Sequence, residues 1–318
     1  AGAGGSKPTA EESFVLKFAC HENEKHAQAT GLFKAKEVIE KLSGGKITLQ
    51  LYFNSSLYTQ TAEQDAILSG ELETAFSSAQ VLADYVPELA MLTTPYMYSS
   101  YDHMEAVLNG DLGRKEIFTK VSDKLNCVVL GAWYNGSRQL NLRSNKPVTR
   151  PEDMKGIVLR MPNSAAWIAV GESLGAKVTP LAYGEVYTAL QTGTIDAQDN
   201  PLPADKMMKF YEVTKQISLT YHIIDAVWPV VTKGVWNRMS SGQRDMMYKA
   251  FDEGRKACEA QIMKEEKELV AFFKEQGLII TNPDIPAFKK YAYDYYVSTG
   301  RTKTWNMDLY KRIQALAK

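Results

Sequence analysis

The sequence predicts a two-lobed α/β protein with a ligand cleft between the lobes. Its 318 residues exceed the size that a single hydrophobic core usually reaches. Apolar runs of strand character alternate with helical periodicity, and this alternation restarts further along the chain. Residues 240–276 keep a helical pattern that, at ~1.5 Å per residue, is long enough to reach across both lobes.

The first α/β unit lies in the N-terminal part of the chain. Short apolar or alternating runs predict strands, helical spacing predicts the helices between them, and Gly44-Gly45 ends the first helix. The predicted strands are 14–20, 47–53 and 74–78, and the predicted helices are 26–42 and 61–68. In a mostly parallel sheet of this kind, ligands bind beyond the carboxyl ends of the strands.

A second α/β unit follows the same rhythm. Pro151 and the acids after it open a helical turn that leads into the next strand. The predicted strands are 126–134, 157–161, 177–180 and 194–199, and the predicted helices are 164–174 and 185–191. We therefore predict lobe 1 over residues 14–135, completed by 226–265, and lobe 2 over residues 136–225, completed by 266–318.

The connection between the lobes depends on residues 240–276. A single long helix is one interpretation, and two helices broken near Gly254 are the alternative, because an interior glycine weakens a helix. The sequence contains no internal repeat and no low-complexity linker. Continuous strands or the long helix are therefore expected to join the lobes.

Composition excludes several classes of partner. Lys plus Arg equals Asp plus Glu at 37 each, so no basic field is present to gather nucleic acid or an anionic membrane surface. No run of about 18 apolar residues predicts a membrane span. The chain begins Ala-Gly-Ala-Gly-Gly-Ser-Lys-Pro without Met, which fits a cloning remnant or the stub of a removed export signal.

Motifs for metal binding, cofactors or catalysis are absent from the sequence. Cys20, Cys127 and Cys258 are far apart, and we expect them to be buried thiols. His21 and His26 are five residues apart, which suits neither a helical nor a strand pair of metal ligands. There is no nucleophile elbow, glycine-rich phosphate loop or His-Glu-x-x-His pair. The sequence therefore predicts a binding protein without a metal or cofactor, and not an enzyme.

Three polar residues are candidates for holding an anion. Arg138, Arg160 and Asn200 lie in segments that are typical of strand ends or turns. A fixed guanidinium matches a carboxylate or sulfonate with two parallel hydrogen bonds. The alternatives are a structural ion pair with an acid for Arg160, a solvated loop position for Arg138, and a turn cap for Asn200.

Aromatic residues stand close to these candidates in the sequence. An aromatic wall with a few fixed polar groups is typical of a small-molecule pocket, although each aromatic taken alone is more often a core residue. The aromatic residues concerned are Trp133, Tyr134, Trp167, Tyr183, Tyr187 and Trp228.

Four segments resemble the substrate-binding subunits of tripartite ATP-independent periplasmic (TRAP) transporters, over a stretch from about residue 14 to the C-terminal helices. The segments are Tyr134-Asn-Gly-Ser-Arg-Gln, Asp153-Met-Lys-Gly-Ile-Val-Leu-Arg-Met-Pro-Asn163, Gly184-Glu-Val-Tyr-Thr-Ala-Leu-Gln-Thr-Gly-Thr-Ile-Asp-Ala-Gln-Asp-Asn-Pro201 and Lys209-Phe-Tyr-Glu-Val. The resemblance implies an exported, periplasmic protein of the two-lobed periplasmic binding protein fold. It further implies a monomer that closes around an organic acid and delivers it to TRAP membrane subunits.

The resemblance also implies roles for individual residues. The arginine of the Leu-Arg-x-Pro motif, which is Arg160 here, forms the carboxylate salt bridge in the family. Arg138 and Asn200 match the residues that assist it, and Asn163 and Tyr183 match positions that line the pocket.

Departures from the family pattern concern the ligand. Members that bind sialic acid typically carry an acid in the segment that matches 76–79, where this chain has Ser77 and Ser78, and Asn where His21 stands. Trp133 and Trp167 are expected to fill volume near the arginines. These features predict a compact anion other than sialic acid, such as a sugar acid, keto acid, four-carbon acid or small sulfonate.

The predicted mechanism is a hinge in which Arg160 and Arg138 hold the acid group while the lobes close. A ligand sensor that presents its closed form to a signalling receptor is the alternative, because transport and sensing use the same closed surface. A third hypothesis for the function is an enzyme that acts on an organic acid.

Overall fold

The computed structural model describes residues 11–317 and shows a mixed α/β protein with two lobes. The expectation about the first eight residues lies outside the described part. The strands are β1 Phe14–Ala19, β2 Ile47–Tyr52, β3 Thr74–Ser77, β4 Cys127–Val129, β5 Trp133–Leu142, β6 Val158–Met161, β7 Lys177–Pro180, β8 Ala197–Pro201, β9 Gln216–Thr232 and β10 Ile279–Thr281.

The helices alternate with these strands through most of the chain. They are α1 Ala27–Leu42, α2 Gln60–Ser69, α3 Ala79–Leu82, α4 Tyr101–Leu108, α5 Phe118–Lys124, α6 Ala165–Ser173, α7 Val186–Thr192, α8 Leu202–Met207, α9 Lys233–Trp236, α10 Ser241–Glu275, α11 Ile285–Ser298 and α12 Met307–Gln314. The helical turn predicted at Pro151 is the 3-10 helix Pro151–Met154. Among residues 11–317, none of these helices is long and apolar enough to cross a membrane.

One sheet runs through both lobes in the order β2-β1-β3-β9-β5-β8-β6-β7, with β4 and β10 also paired to β9. The strand β9 was not predicted, and it pairs antiparallel with β3 and β4 at its C-terminal end and with β5 along the rest. The long strands β5 and β9 therefore carry the backbone from one lobe to the other. This agrees with the expectation that continuous strands join the lobes.

The strand predicted at 126–134 is two strands. Gly131 has a φ of 151° and lies between β4 and β5, where the chain turns away from the first strand and begins the second. Because β5 starts at Trp133 and ends at Leu142, Arg138 lies in the middle of a strand and not at the strand end or turn that we predicted.

The predicted long helix is confirmed, and the alternative of a break near Gly254 is wrong. The helix α10 begins with a capping box between Ser240 and Gln243 and continues for 35 residues. Its first part contributes Phe251 to the core of lobe 1, and its last part contributes Phe273 to a cluster with β9 and β10 of lobe 2. The helix therefore spans both lobes.

The C-terminal end of the chain returns to lobe 1. The side chains of Leu309 and Ile313 on α12 are buried in the same core cluster as β1 and β3, and His103 Nε2 lies 2.8 Å from the carbonyl oxygen of Ile313. The prediction that residues 266–318 complete lobe 2 is therefore wrong for α12, because its apolar face packs on lobe 1. Phe288 of α11 does pack in lobe 2.

Candidate functional site

A cavity of about 120 Å³ lies between the lobes, beyond the ends of β1 and β3 on one side and beside β5 and β6 on the other. Nine of the ten residues predicted for the site line it. They are His21, Ser77, Ser78, Arg138, Arg160, Asn163, Trp167, Tyr183 and Asn200. The sequence segments are far apart, and the crossing strands bring them to one place.

Arg160 is a buried cation without an ion-pair partner in the described part of the chain. The side chain is near the end of β6 and is 1% exposed. Nε and Nη2 donate to the carbonyl oxygen of Leu181 at 2.9 and 2.7 Å, and Nη2 also donates to Gln60 Oε1 at 3.2 Å. Within residues 11–317, Nη1 has no hydrogen-bond acceptor and no Asp or Glu forms an ion pair with Arg160. The alternative of a structural ion pair is therefore not what the structure shows.

Burial lowers the pKa of Arg160 to about 10, against the opposing effect of Asp199 and with a contribution from the repulsion of Arg138. The side chain is still charged at neutral pH, because that pKa lies well above 7. A buried charge without a counter-charge is costly, so this group favours an anion in the cavity.

Arg138 is buried as well, but two acids already neutralise it. Nε and Nη2 donate to the Asp199 carboxylate at 2.6 and 3.0 Å, Nη2 donates to the Asp199 carbonyl, and Nη1 donates to Asp225 Oδ2 at 2.9 Å. Although burial disfavours the charge, Asp199 and Asp225 raise the pKa of Arg138 above its ordinary value. Four of its five N–H groups are used in this way. The predicted solvated alternative is therefore wrong for Arg138.

Asp199 has a second side-chain partner besides Arg138. His222 Nε2 lies 3.0 Å from Asp199 Oδ2, and His222 Nδ1 lies 2.7 Å from Thr220 Oγ1. Burial would raise the pKa of Asp199, but Arg138 and His222 lower it below its ordinary value. Arg138 and its acids therefore form a rigid wall of the cavity.

The remaining polar candidates differ in exposure. Asn200 is buried in β8, and its Nδ2 donates to Gln198 Oε1 at 2.7 Å. Tyr183 is buried and packs edge-on against His21 with ring centroids 5.6 Å apart. Asn163 is exposed. Their predicted role in binding stays a prediction.

Trp133 does not line the cavity, which corrects the expectation that it narrows the pocket. Its indole is fully buried in lobe 1 and packs edge-on against Phe76 with centroids 5.2 Å apart. Gly31 of α1 and Gly254 of α10 approach each other beside this ring, and a Cβ on either glycine would lie within 3.0 Å of the indole. The close crossing of these helices therefore encloses Trp133.

Only two of the six aromatic candidates form the cavity wall. Trp167 lies in the first turn of α6, and its ring centroid lies 4.5 Å from the Arg138 guanidinium carbon. Tyr183 is the other. The remaining four face elsewhere: Trp133, Tyr134 and Trp228 lie in the core of lobe 1, and the Tyr187 hydroxyl donates to Glu212.

Lobe 1 contributes several polar residues that the sequence analysis did not select, among them Gln60, Glu63 and Glu22. Gln60 and Glu63 belong to the first turn of α2, and Glu22 follows β1. Glu63 shares the buried face of α2 with Ala66 and Ile67. An acid in helical register with apolar residues is a signal that sequence reasoning could have used.

His21 and Glu63 form a buried pair at the lobe 1 wall. His21 Nδ1 lies 2.5 Å from Glu63 Oε1. Burial is the largest single effect and would lower the pKa of His21, but the carboxylates of Glu63 and Glu22 together raise it, so the pKa is raised overall. Burial raises the pKa of Glu63, and His21 opposes that shift only in part.

The arrangement can hold an organic anion but shows no metal centre. Among residues 11–317, no group of three or more His, Cys, Asp or Glu side chains is placed to hold a metal ion. Cys20, Cys127 and Cys258 are buried and unpaired with each other, as predicted.

Residues 18–301 match the family model described as DctP, bacterial extracellular solute-binding protein, family 7. The chain belongs to this family of solute-binding proteins. The sialic acid-binding periplasmic protein SiaP of Vibrio cholerae is 32% identical over 260 residues, which cover 82% of this chain and 80% of SiaP. The protein is therefore a periplasmic solute-binding protein of the TRAP type, as the sequence resemblance predicted.

Solved structures of TRAP periplasmic solute-binding proteins have the same fold. One from Roseobacter denitrificans with bound 3-deoxy-D-manno-oct-2-ulosonic acid has a TM-score of 0.90 and 37% identity, covering 96% of this chain and 100% of that one. Another from Sulfurospirillum deleyianum with bound succinate has a TM-score of 0.86 and 26% identity, covering 96% and 99%. The predicted two-lobed fold is confirmed, and the ligands of these solute-binding proteins are organic acids of different size.

Proposed function

We propose that this protein captures a small organic acid anion by an ion pair with Arg160 and delivers it to the membrane subunits of a TRAP transporter. The observation that carries the proposal is the buried, charged Arg160 beside the cavity with no acid partner among residues 11–317. Its Nη1 group has two N–H donors, and each can donate a charge-assisted hydrogen bond to an oxygen of a carboxylate or sulfonate.

Arg138 assists in this proposal and is not an equal partner. Its charge is balanced by Asp199 and Asp225, so it adds little net attraction for an anion. One N–H of its guanidinium has no acceptor among residues 11–317 and can donate to the same acid group. The acids keep this donor in a fixed orientation.

Closure of the lobes around the acid is the second part of the proposal. Contacts across the cleft support it: the Ser164 hydroxyl donates to the Gln80 carbonyl at 3.2 Å, and the Ala165 amide donates to Asp84 at 3.1 Å. A hinge that brings these groups together converts ligand binding into a shape that membrane subunits recognise.

Family membership favours transport over the signalling alternative. We further propose that the protein acts as a monomer, and that it releases its ligand chemically unchanged.

Titration calorimetry on the purified protein tests the ion pair. A thermal-shift screen of sugar acids, keto acids, dicarboxylates and small sulfonates first selects a ligand, because saturating ligand stabilises the folded state. The substitution Arg160→Ala should then weaken binding by at least about a hundredfold, since removing one partner of a buried ion pair costs about 3–5 kcal/mol. Arg150→Ala is the matched control, because Arg150 is exposed and pairs only at the surface with Glu152 and Asp284.

An Arg160→Ala variant that binds like the wild type would overturn the ion pair. Uptake of the same acid by cells that carry the TRAP membrane subunits, with and without this protein, tests delivery. Mass spectrometry of the acid after long incubation tests the absence of turnover, and a new product would contradict the proposal.

A further inference from the structure

Asp205 is a buried acid without an ion-pair partner among residues 11–317. It lies on α8, is 1% exposed and does not line the cavity. Its Oδ1 accepts a hydrogen bond from Gln198 Nε2 at 2.6 Å, and its Oδ2 has no hydrogen-bond partner in that part of the chain. Arg138 attracts its charge but pairs with Asp199 and Asp225 instead. Because a buried carboxyl group with one hydrogen bond costs stability, its presence here points to a role other than stabilising the fold.

A network of side-chain hydrogen bonds joins Asp205 to the cavity. Gln198 is fully buried in β8, and its Nε2 donates to Asp205 Oδ1 at 2.6 Å and to Asn141 Oδ1 at 3.2 Å. Its Oε1 accepts from Asn200 Nδ2 at 2.7 Å. Residues two apart on a strand point to the same face, so Gln198 and Asn200 are neighbours there. Asp205 is therefore two hydrogen bonds away from a residue that lines the cavity.

The directions of these hydrogen bonds are fixed at the buried end of the network. Asn141 Nδ2 donates to Thr214 Oγ1 at 2.8 Å, so its Oδ1 is the atom that remains for Gln198. Asp205 Oδ1 and Asn141 Oδ1 are thus two acceptors that hold both N–H groups of Gln198. The Oε1 atom of Gln198 is thereby turned toward Asn200, which must donate to it. The second N–H and the Oδ1 of Asn200 have no partner in the described residues and are available to a ligand.

The surroundings favour an uncharged carboxyl group at Asp205. Burial raises the pKa of Asp205 well above its ordinary value and Asp199 adds to this shift, while Gln198 and Arg138 oppose it. A protonated carboxyl group still offers an oxygen that accepts from Gln198. Asparagine is uncharged and has the same acceptor in the same place, so the substitution Asp205→Asn imitates this state.

We propose that Asp205 is a positioning residue for ligand binding, which fixes the orientation of Gln198 and through it the orientation of the Asn200 amide. This inference rests on the proposed function, because it takes Asn200 to contact the acid group that Arg160 holds. Without an acceptor at position 205, Gln198 can exchange the positions of its Oε1 and Nε2, and Asn200 then meets the ligand in two orientations. Binding must select one of them, which lowers the affinity.

Titration calorimetry tests this role with the tightest-binding acid among L-galactonate, D-erythronate, 3-deoxy-D-manno-oct-2-ulosonate and succinate. Asp205→Leu, which has a similar volume but no acceptor, should weaken binding by about three- to tenfold, as expected for the loss of one hydrogen bond. Asp205→Asn should recover most of that affinity. Gln198→Met breaks the network in its middle and should weaken binding by a similar factor, which keeps the test valid if Asp205→Leu does not fold. Asp308→Leu is the control, because Asp308 is exposed on α12 and pairs at the surface with Arg312.

A double-mutant cycle separates positioning from a general effect on the fold. In the Asn200→Ala background, Asp205→Leu should have no further effect on affinity, because the amide that it positions is gone. Equal losses in both backgrounds, or Asp205→Asn binding as weakly as Asp205→Leu, would overturn the inference. Circular dichroism confirms that each variant is folded.

The two proposals fail in different ways. Binding that requires Arg160 but is the same in Asp205→Leu and the wild type would overturn the positioning role and keep the ion pair. Binding that is insensitive to Arg160→Ala would overturn the proposed function and this inference with it.

Discussion

Gln60 Oε1 accepts a hydrogen bond from Arg160 Nη2 at 3.2 Å and so joins lobe 1 to the buried cation of lobe 2. The same oxygen accepts from the backbone amide of Tyr183 at 3.0 Å. Gln60 begins α2, whose apolar face packs in the core of lobe 1, and Arg160 belongs to β6. The side-chain amide of Gln60 therefore connects lobe 1 to the arginine that we propose binds the ligand.

The substitution Gln60→Ala should weaken ligand binding by about tenfold or more. It removes a charge-assisted hydrogen bond to Arg160 and a contact between the lobes, and such bonds contribute about 1.5–3 kcal/mol. Calorimetry with the ligand found in the screen measures the loss. The control is Gln50→Ala, because Gln50 is exposed on β2. Equal affinities for Gln60→Ala and the wild type would show that this contact does not contribute to binding.

Removing the acid that holds Arg138 should destabilise the protein by about 3–5 kcal/mol. Asp199→Ala leaves Arg138 buried with Asp225 as its remaining acid and also takes a partner from His222. Urea unfolding measures the change in the free energy of unfolding. Asp294→Ala, which breaks an exposed pair with Lys290, should change it by less than about 1 kcal/mol. Similar losses in both variants would contradict the prediction.

Gly254→Ala should lower the free energy of unfolding by about 1–3 kcal/mol, although alanine is the better helix former. A Cβ at this position would lie 2.6 Å from the Gly31 carbonyl oxygen, and that backbone atom cannot move aside without shifting α1. Gly234→Ala is the matched control within α9, where a Cβ meets nothing within 4 Å. That variant should be neutral or stabilised by up to about 1 kcal/mol. Thermal and urea unfolding would distinguish the two, and a stabilised Gly254→Ala would disprove the tight crossing.

The His21 and Glu63 pair should make stability fall as the pH rises. Both groups have a raised pKa in the folded protein, so the folded state binds more protons than the unfolded state. Their contribution is fully present below the unfolded pKa of Glu, about 4.3, and is lost as the pH rises through the folded pKa of His21, which lies above about 6.5. The free energy of unfolding of the wild type should exceed that of the double variant His21→Gln/Glu63→Gln by more at pH 5 than at pH 9. Urea unfolding at both values tests this, and the opposite slope would contradict it.

Local patterns predicted most of the elements that surround the site. The strands β1, β2, β3, β6 and β7 and the helices α1, α2, α6, α7 and α10 lie within about two residues of their predicted bounds. Periodicity, caps and terminators act over a few residues, so they can be read without knowing what packs where. The short motifs around Arg138, Arg160 and Asn200 led to the cavity for the same reason.

Partners that are distant in the chain could not be predicted in this way. The sequence did not indicate that Asp225, 87 residues after Arg138, neutralises that arginine, whereas Arg160 forms no ion pair with an acid among residues 11–317. It also placed Trp133 beside the ligand, whereas the approach of α1 and α10 encloses that ring.

The sequence by itself determined the two-lobed α/β class, the long helix and the segments that meet at the cavity, because local periodicity and short motifs encode them. The tertiary structure decided which arginine is available to an anion, which aromatic rings face the cavity, and where Gln60 and Glu63 enter the wall. Those outcomes depend on burial and charge pairing between residues that come together only when the sheet and α10 join the lobes.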